Sequence, residues 1–355
     1  MNVRDTLRIL GSADRREGRN LSHAEAKSVF GQILDRECGD VLIAGFLMAM
    51  RWKGFTVEEL TGFANAARER ASLPCEELQG LVTVSTPHDG YDQTPPMEIA
   101  AALVAAASGA RVLLVSEMGV PPRRGVTSAL VLESLGVPLA SGKDEAEDRM
   151  ERTGFVPIAA TTMLPRLGRL HHVRGELGVR TALSTIEKLI APKASAIVTG
   201  AQSGPVLGTA VETMAGLGHP RGITIQGLEG GLLPTLRRRT RGIELSGKHQ
   251  VPLTVEPNDF GLASNENPEL PMFGPPDEGL GTGDNPLLLG AAQDLIRAVL
   301  AGDMGPARNA TLLCAAVILK AAGRALTLAE GVDLAVDALD SGAARELLRK
   351  SGGVA

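Results

Sequence analysis

The segment from Val82 to Gly136 alternates short apolar runs, Gly- and Pro-rich loops and helix-forming runs, and this alternation limits the folds open to the chain. The runs Val82–Val84 and Val112–Val115 are rich in valine and bounded by turn residues, which is typical of parallel strands buried on both faces. Between them, Glu98–Ala107 consists almost entirely of strong helix formers. The same rhythm returns from Ala196, so the sequence predicts an α/β protein with a mainly parallel central sheet.

Two loops that follow these predicted strands are the first candidates for a ligand site. In an open α/β sheet, ligands bind beyond the carboxyl ends of the strands, where helix N-termini offer free N–H groups. The second loop carries Arg123 and Arg124. The first loop supplies the candidate residues Ser85, Thr86, His88, Asp89 and Gly90.

The chain length of 355 residues exceeds the size at which one hydrophobic core usually suffices, so two domains are expected. Residues 1–75 form a predicted helical domain, in which Ser22 and Glu25 make a capping box at the start of a helix. Residues 80–355 form the predicted α/β domain. We expect the segment 165–192 to join the helical domain.

The run VLIAGFLMAMRWKG in the helical domain is apolar around most of its helix. Such a helix must pack on the larger domain or on a second copy of the chain. The sequence therefore predicts a homodimer that forms through the helical domain.

Composition excludes several classes of protein. A net charge of −5 is incompatible with a protein that is basic overall, although it permits local basic patches. No apolar run reaches the roughly 18 residues of a membrane helix, and the scattered charges near the N-terminus are unlike a secretory signal. Three distant cysteines form no zinc or disulfide pattern. We therefore expect a cytoplasmic protein without a membrane partner.

Long segments of the chain match one known family in order. They are LDRECGDVLIAGFLMAMRWKGFTVEELTGF in the helical domain, AAALVAAASGARV and ALVLESLGV around the two loops, and HHVRGELGVRT and GDMGPARNATLLCAAVILKAAGRALTLAEGVDLAVDALDSGAA further on. With these segments the chain resembles the anthranilate phosphoribosyltransferase superfamily, also called glycosyl transferase family 3. The resemblance implies a small all-α dimerisation domain beside a larger α/β domain of the nucleoside phosphorylase/phosphoribosyltransferase class, with a cleft between them.

The first loop departs from that family. The family's glycine-rich GTGGD and the following N-x-S-T cradle the diphosphate of phosphoribosyl pyrophosphate, whereas this chain has Ser85–Gly90 and Gln93–Glu98 there. Proline has no N–H to donate, His88 removes the close approach that glycine permits, and Glu98 at the helix start would repel a phosphate. The family's K-H-G-N-R loop is replaced by Ser116–Val120. The resemblance therefore implies a degenerate donor site.

The magnesium site departs further from the family pattern than the first loop does. The family holds magnesium with an adjacent Asp-Glu pair, and Leu232 and Leu233 align with that pair here. An isobutyl group offers no oxygen ligand. Glu229 remains as a weak candidate ligand, the alternative being an exposed loop carboxylate. We expect no cofactor, and magnesium only if the chain is an active transferase.

Candidate ligand- or phosphate-binding residues are basic and are expected around the cleft, although each cluster has the composition of an ordinary solvated face. Arg174 matches the family arginine that contacts a carboxylate acceptor, the alternative being a structural arginine that ties the cleft helix to its neighbour. The clusters are Arg123 and Arg124; Arg166, Arg169, His171, His172, Arg174 and Arg180; and Arg237, Arg238, Arg239 and Arg241.

Two functions follow from the resemblance, and no residue is assigned a catalytic role. The first is an inactive transferase fold that binds nucleic acid or another polyanion through phosphate contacts in a basic cleft. The segments STIEKL and ITIQGLEG resemble the YbiB-like branch of the superfamily, which binds nucleic acid in this way. The low aromatic content of 3% agrees with phosphate contact rather than base stacking. The alternative is an active glycosyl or phosphoribosyl transferase that uses phosphoribosyl pyrophosphate and an aromatic or heterocyclic acceptor. A dimeric scaffold for a protein partner is a third possibility.

Overall fold

The computed structural model describes residues 1–11, 18–202, 204–274 and 279–354, without the side chain of residue 205. Its centre is a seven-stranded sheet of order β3-β2-β1-β4-β5-β6-β7. Strands β1 to β5 are parallel, and β6 and β7 are antiparallel. The predicted mainly parallel sheet is confirmed. The strands are β1 (Leu81–Ser85), β2 (Arg111–Ser116), β3 (Phe155–Ala159), β4 (Ala196–Gly200), β5 (Arg221–Ile225), β6 (Thr240–Ser246) and β7 (His249–Val255).

The β6–β7 hairpin is the part of the sheet that the sequence analysis missed. β6 alternates between buried and exposed residues only over residues 240–242, and Arg241 and Glu244, on opposite faces of the strand, interrupt its apolar residues. Gly247, with φ of 61°, makes the tight turn before β7. Antiparallel pairing places Gly242 beside Ile225, so β6 begins at the carboxyl end of β5.

Helices cover both faces of the sheet, and the predicted capping box of Ser22 and Glu25 is present. The predicted helix Glu98–Ala107 has the same bounds in the structure. The helices are α1 (Val3–Leu10), α2 (His23–Leu34), α3 (Asp40–Lys53), α4 (Val57–Arg68), α5 (Glu98–Ala107), α6 (Ser128–Ser134), α7 (Lys143–Thr153), α8 (Ala160–Met163), α9 (His171–Leu177), α10 (Leu183–Ile186), α11 (Gly204–Gly216), α12 (Pro286–Leu300), α13 (Pro306–Ala321), α14 (Leu328–Asp340) and α15 (Ala343–Lys350).

Alternate residues of β2 point into two different cores, as the two-residue period of a strand requires. Val112 and Leu114 pack with α5 and α12 to α15 on one face. Leu113 and Val115 pack on the other face with α2 to α4 and with apolar residues of the segment 165–192. The helical unit is therefore fixed against the sheet. Within the described ranges, every helix is too short or too polar to span a bilayer.

Candidate functional site

A cavity of about 290 Å³ separates the helical unit from the carboxyl ends of β1 and β4, and we call it the domain cleft. Arg51 and Leu60 line it on the helical side, and Pro87 lines it on the sheet side. Further wall comes from the segments 180–189 and 199–202. Because ligands of open α/β sheets bind at this edge, the domain cleft is the candidate site.

The first loop is packed into the protein, with each of its predicted site residues buried. Thr86 donates from its hydroxyl to the carbonyl oxygen of Val115 at 3.2 Å, and the hydroxyl of Ser85 has no hydrogen-bond partner in the described structure. Gly90 has φ of 74°, and a side chain there would collide with the backbone of Gly125. The first loop is therefore packed against β2 and the second loop, and its glycine is required for that packing.

Glu229 binds a set of backbone N–H groups that we call the amide cradle, namely those of Asp92, Gln93 and Thr94. Its carboxylate accepts from them at 3.2, 3.0 and 2.7 Å. Arg123 lies 3.3 Å from the same carboxylate and 3.2 Å from Asp92. Glu229 is therefore neither an exposed loop carboxylate nor an unengaged metal ligand.

Glu98, expected to repel a phosphate at the start of α5, is fully buried and faces the protein interior. It accepts hydrogen bonds from the hydroxyls of Tyr91 at 2.9 Å and Ser128 at 2.8 Å. Burial raises the pKa of the Glu98 carboxyl to about 7, against the lowering effect of its hydrogen bonds. Glu98 therefore presents no exposed carboxylate at the start of α5, and its repulsion of a phosphate stays a prediction.

Arg174 is buried, and it donates to Glu187 and, at 3.1 Å, to the hydroxyl of Ser184. Burial raises the pKa of Glu187, but the charges of Arg174 and His88 outweigh it and hold that pKa at about 2. His88 Nδ1 lies 3.7 Å from Glu187. This arrangement ties α9 to the segment after α10. It agrees with the alternative role given for Arg174, that of a structural arginine that ties the cleft helix to its neighbour.

The charged residues that line the domain cleft, besides His88, are Arg51, Asp89, Arg180 and Lys188. Arg180 Nε and Nη2 contact the two oxygens of Asp89 at 2.6 and 2.8 Å. Lys188 Nζ donates to the carbonyl oxygen of Gly200 at 3.0 Å. Among the described residues, neither Lys188 nor Arg51 has a carboxylate partner within ion-pair distance. Three cations thus face one carboxylate, and this excess favours an anionic ligand.

The predicted basic residues lie in different places. Arg124 and His172 line a second cavity of about 690 Å³ with His171, and His172 also contacts Asp40 at 2.9 Å. Burial, and then the charge of Arg174, lower the pKa of His171.

Arg166 and Arg169 line a groove elsewhere, where Arg166 is 2.9 Å from Asp35. The remaining basic residues lie before or at the start of β6 and line neither the domain cleft nor the second cavity. These are Arg237, Arg238, Arg239 and Arg241, all exposed.

Two protein-family models match the chain. Residues 83–345 match "Glycosyl transferase family, a/b domain", and residues 13–71 match "Glycosyl transferase family, helical bundle domain". The chain belongs to this glycosyl transferase family.

Relatives within the family are anthranilate phosphoribosyltransferases. That of Solibacter usitatus is 33% identical over 332 residues, covering 93% of each chain. Anthranilate phosphoribosyltransferase 2 of Streptomyces coelicolor is 33% identical over 333 residues, covering 93% of this chain and 94% of the relative. The crystal structure of the Thermus thermophilus enzyme superposes with a TM-score of 0.78 at 28% identity, covering 98% of this chain and 97% of the other.

The family's magnesium pair does not fit the residues present here. Leu232 and Leu233 are fully buried within the larger apolar core. Glu229, the nearest carboxylate in sequence, is already bound to the amide cradle and to Arg123. The described residues contain no group of three or more His, Cys, Asp or Glu side chains placed to hold a metal. At the positions matched to the family's pair, the two leucine side chains therefore offer none of the oxygen ligands that magnesium requires.

Sequence reasoning named Arg180 and Asp89 but missed the other two charged residues of the domain cleft, Lys188 and Arg51. Lys188 was noticed only as part of the segment STIEKL, and Arg51 only as part of an apolar helix. Both follow apolar or helical runs, where a single basic residue looks like a helix C-terminal charge. Only the folded structure shows that Arg51 at the end of α3 and Lys188 after α10 line the same cavity.

Proposed function

We propose that this chain is a glycosyl transferase of the phosphoribosyl type that binds its phosphorylated donor in the domain cleft. The family relationship supports this, because similarity to anthranilate phosphoribosyltransferases covers 93% of the chain. The observation that carries the proposal is the cationic wall, where Arg51, Arg180 and Lys188 face one carboxylate, Asp89. A diphosphate is the part of such a donor that this wall would stabilise.

The acceptor is expected to differ from anthranilate. Arg174 already contacts Glu187, so the charge of the Arg174 guanidinium is neutralised before a carboxylate acceptor could bind to it. Removing Glu187 from this buried pair is costly. We therefore propose an aromatic or heterocyclic acceptor that carries no carboxylate.

The test is titration calorimetry of the purified chain with phosphoribosyl pyrophosphate, with and without magnesium. We expect binding, followed by pyrophosphate release when a panel of heterocyclic acceptors is added. Lys248→Met, an exposed change in the β6–β7 turn, is the matched control and should bind as the parent does. Absence of heat in both buffers from a folded sample would refute the proposal.

A second candidate function is polyanion binding, which corresponds to the nucleic-acid-binding branch expected from the sequence. Its support is the exposed cluster of Arg237, Arg238, Arg239 and Arg241, for which the described residues provide no ion-pair partner. Such arginines would contact phosphates without reading bases. The comparisons favour the transferase, so this function is placed second.

We also propose a homodimer that forms through the helical unit. Val41, Met48 and Trp52 lie seven and four residues apart on α3, which places them on one face of that helix. Their exposed fractions are 87%, 39% and 94%. A second copy of the chain would cover this apolar face.

A further inference from the structure

We propose that Lys188, Arg180 and Arg51 form a metal-independent subsite for a diphosphate group, carried by a sugar donor or free as pyrophosphate. The subsite would supply positive charge that the buried Leu232 and Leu233 cannot recruit through a metal. It deepens the proposed function, since it assigns the donor's diphosphate to particular side chains.

Lys188 is the central member of this subsite. It is partly buried and lines the domain cleft, and the carbonyl oxygen of Gly200 takes one of its three N–H bonds. Two N–H bonds remain for a ligand. A partly buried ammonium without a carboxylate partner is unfavourable, and a bound anion would relieve that cost.

Arg180 and Arg51 extend the subsite across both walls of the cleft. Arg180 holds Asp89 with its Nε and Nη2 atoms, which leaves Nη1 without a hydrogen bond among the described residues. Arg51, at the end of α3, donates to the backbone carbonyl oxygen of Arg180. The helical unit and the α/β unit are thus linked at the point where the cations meet, so an anion bound here would contact both.

Uncharged groups of the same wall fit the same ligand. The hydroxyls of Thr181 and Thr199 are buried, line the domain cleft and have no hydrogen-bond partner in the described structure. Buried hydroxyls are usually hydrogen-bonded, and phosphate oxygens would accept from both. Helix α11 also begins at this wall, where Gln202 and Val206 line the cleft, and helix N-termini favour anions.

The electrostatic state of Lys188 gives a second readout. Burial, and then the charge of Arg180, lower the pKa of the Lys188 ammonium, whereas Glu187 and Asp89 raise it. A bound diphosphate raises this pKa again. Binding at a pH where part of the lysine is neutral is therefore accompanied by proton uptake, which a purely structural lysine would not show.

The experiment is titration calorimetry with inorganic pyrophosphate in EDTA, repeated in buffers of different ionisation enthalpy. The full chain should bind pyrophosphate without metal, and Lys188→Met should weaken binding by about 10- to 100-fold. The variant should also lose the lysine's part of the proton uptake, measured as the difference from the parent because pyrophosphate exchanges protons of its own in both proteins. Lys188→Arg should retain binding. Lys248→Met, remote from the cleft, is the matched control.

Arg51→Met separates a loss of binding from a loss of folding, because Arg51 is exposed and its replacement leaves the core intact. It should weaken pyrophosphate binding in a protein with an unchanged circular dichroism spectrum. Unchanged affinity in both Lys188→Met and Arg51→Met, or binding that requires magnesium, overturns the subsite.

A parallel titration with phosphoribosyl pyrophosphate distinguishes a donor from free pyrophosphate. Lys188-dependent pyrophosphate binding without transfer to any acceptor would leave the subsite standing and refute the transferase. Transfer that is unaffected by Lys188→Met would refute the subsite and leave the transferase standing.

Discussion

Glu229 accepts the backbone N–H of Thr94 at 2.7 Å, although 135 residues separate them in the sequence. The same carboxylate oxygen accepts from Gln93 at 3.0 Å, and Arg123 stands beside the other oxygen. An anion supplied by the chain therefore already occupies the amide cradle before α5. A phosphate that approached this cradle would have to displace a carboxylate held by several charge-assisted hydrogen bonds.

Glu229→Gln tests the contribution of this contact. An amide accepts more weakly than a carboxylate and leaves Arg123 with one fewer charge partner, so the free energy of unfolding should fall by about 1–3 kcal/mol. Urea unfolding followed by circular dichroism measures it. Glu58→Gln, an exposed change on α4, is the matched control and should stay within about 0.5 kcal/mol of the parent. Equal stability of both variants would show that the cradle does not depend on Glu229.

Glu98 predicts a dependence of stability on pH. Burial raises its pKa from 4.5 to about 7, so the folded protein holds this proton more tightly than the unfolded chain. The stabilisation is complete below pH 4.5 and is lost as pH rises to about 7, by roughly 3 kcal/mol in total.

Unfolding curves recorded between pH 4 and pH 8 on the parent and on Glu98→Gln isolate this contribution. The difference between the two proteins should change across the window of about 4.5 to 7 and be constant outside it. A difference that does not vary with pH would contradict the raised pKa.

The buried pair of Arg174 and Glu187 predicts an asymmetric mutational response. Glu187→Gln leaves a buried guanidinium uncompensated and should lower the free energy of unfolding by about 3–5 kcal/mol. Changing Arg174 and Glu187 together to methionine should restore much of that loss, because both charges are removed. Denaturant titration of the parent, Glu187→Gln and the double variant measures this, and a double variant no more stable than Glu187→Gln would argue against a pair.

The same pair predicts acid sensitivity. The pKa of Glu187 is lowered from 4.5 to about 2, so its contribution is complete above pH 4.5 and is lost as pH falls towards 2. Glu187→Gln should flatten the stability profile in that range.

The exposed arginines before and in β6 test the second candidate function. Alanine at Arg237, Arg238, Arg239 and Arg241 should weaken any binding to labelled DNA or RNA, and should flatten the salt dependence by about one unit per lost phosphate contact. Fluorescence anisotropy at several salt concentrations measures it. Arg345→Ala on α15 serves as the distant control. Failure of the parent to bind at low salt would remove polyanion binding from consideration.

The apolar face of α3 predicts the assembly state. Met48→Glu with Trp52→Glu should convert a dimer into a monomer, as seen by light scattering after size-exclusion chromatography, because charged groups resist burial in an interface. Val251→Glu, on the exposed face of β7, should leave the dimer unchanged. A monomeric parent protein would contradict the proposed homodimer.

Sequence reasoning reached the parallel strands because burial on both faces leaves a continuous apolar run, as in Val112–Val115 of β2. It missed β6, whose half-exposed surface carries arginine and glutamate. Within the site, the replacement of the family's acidic pair by Leu232 and Leu233 was inferred from the resemblance and stays a prediction. Residue identity alone predicted neither the contact of Glu229 with the amide cradle nor the inward turn of Glu98, because both depend on contacts across the fold.

Leu232 and Leu233 lie in the apolar core, with no exposed surface, at the positions that the resemblance matches with the family's acidic pair. Restoring either acid alone would bury an unpaired charge in hydrocarbon, which proteins tolerate poorly. From this packing, each single step towards an acidic pair is therefore penalised before the second step can help.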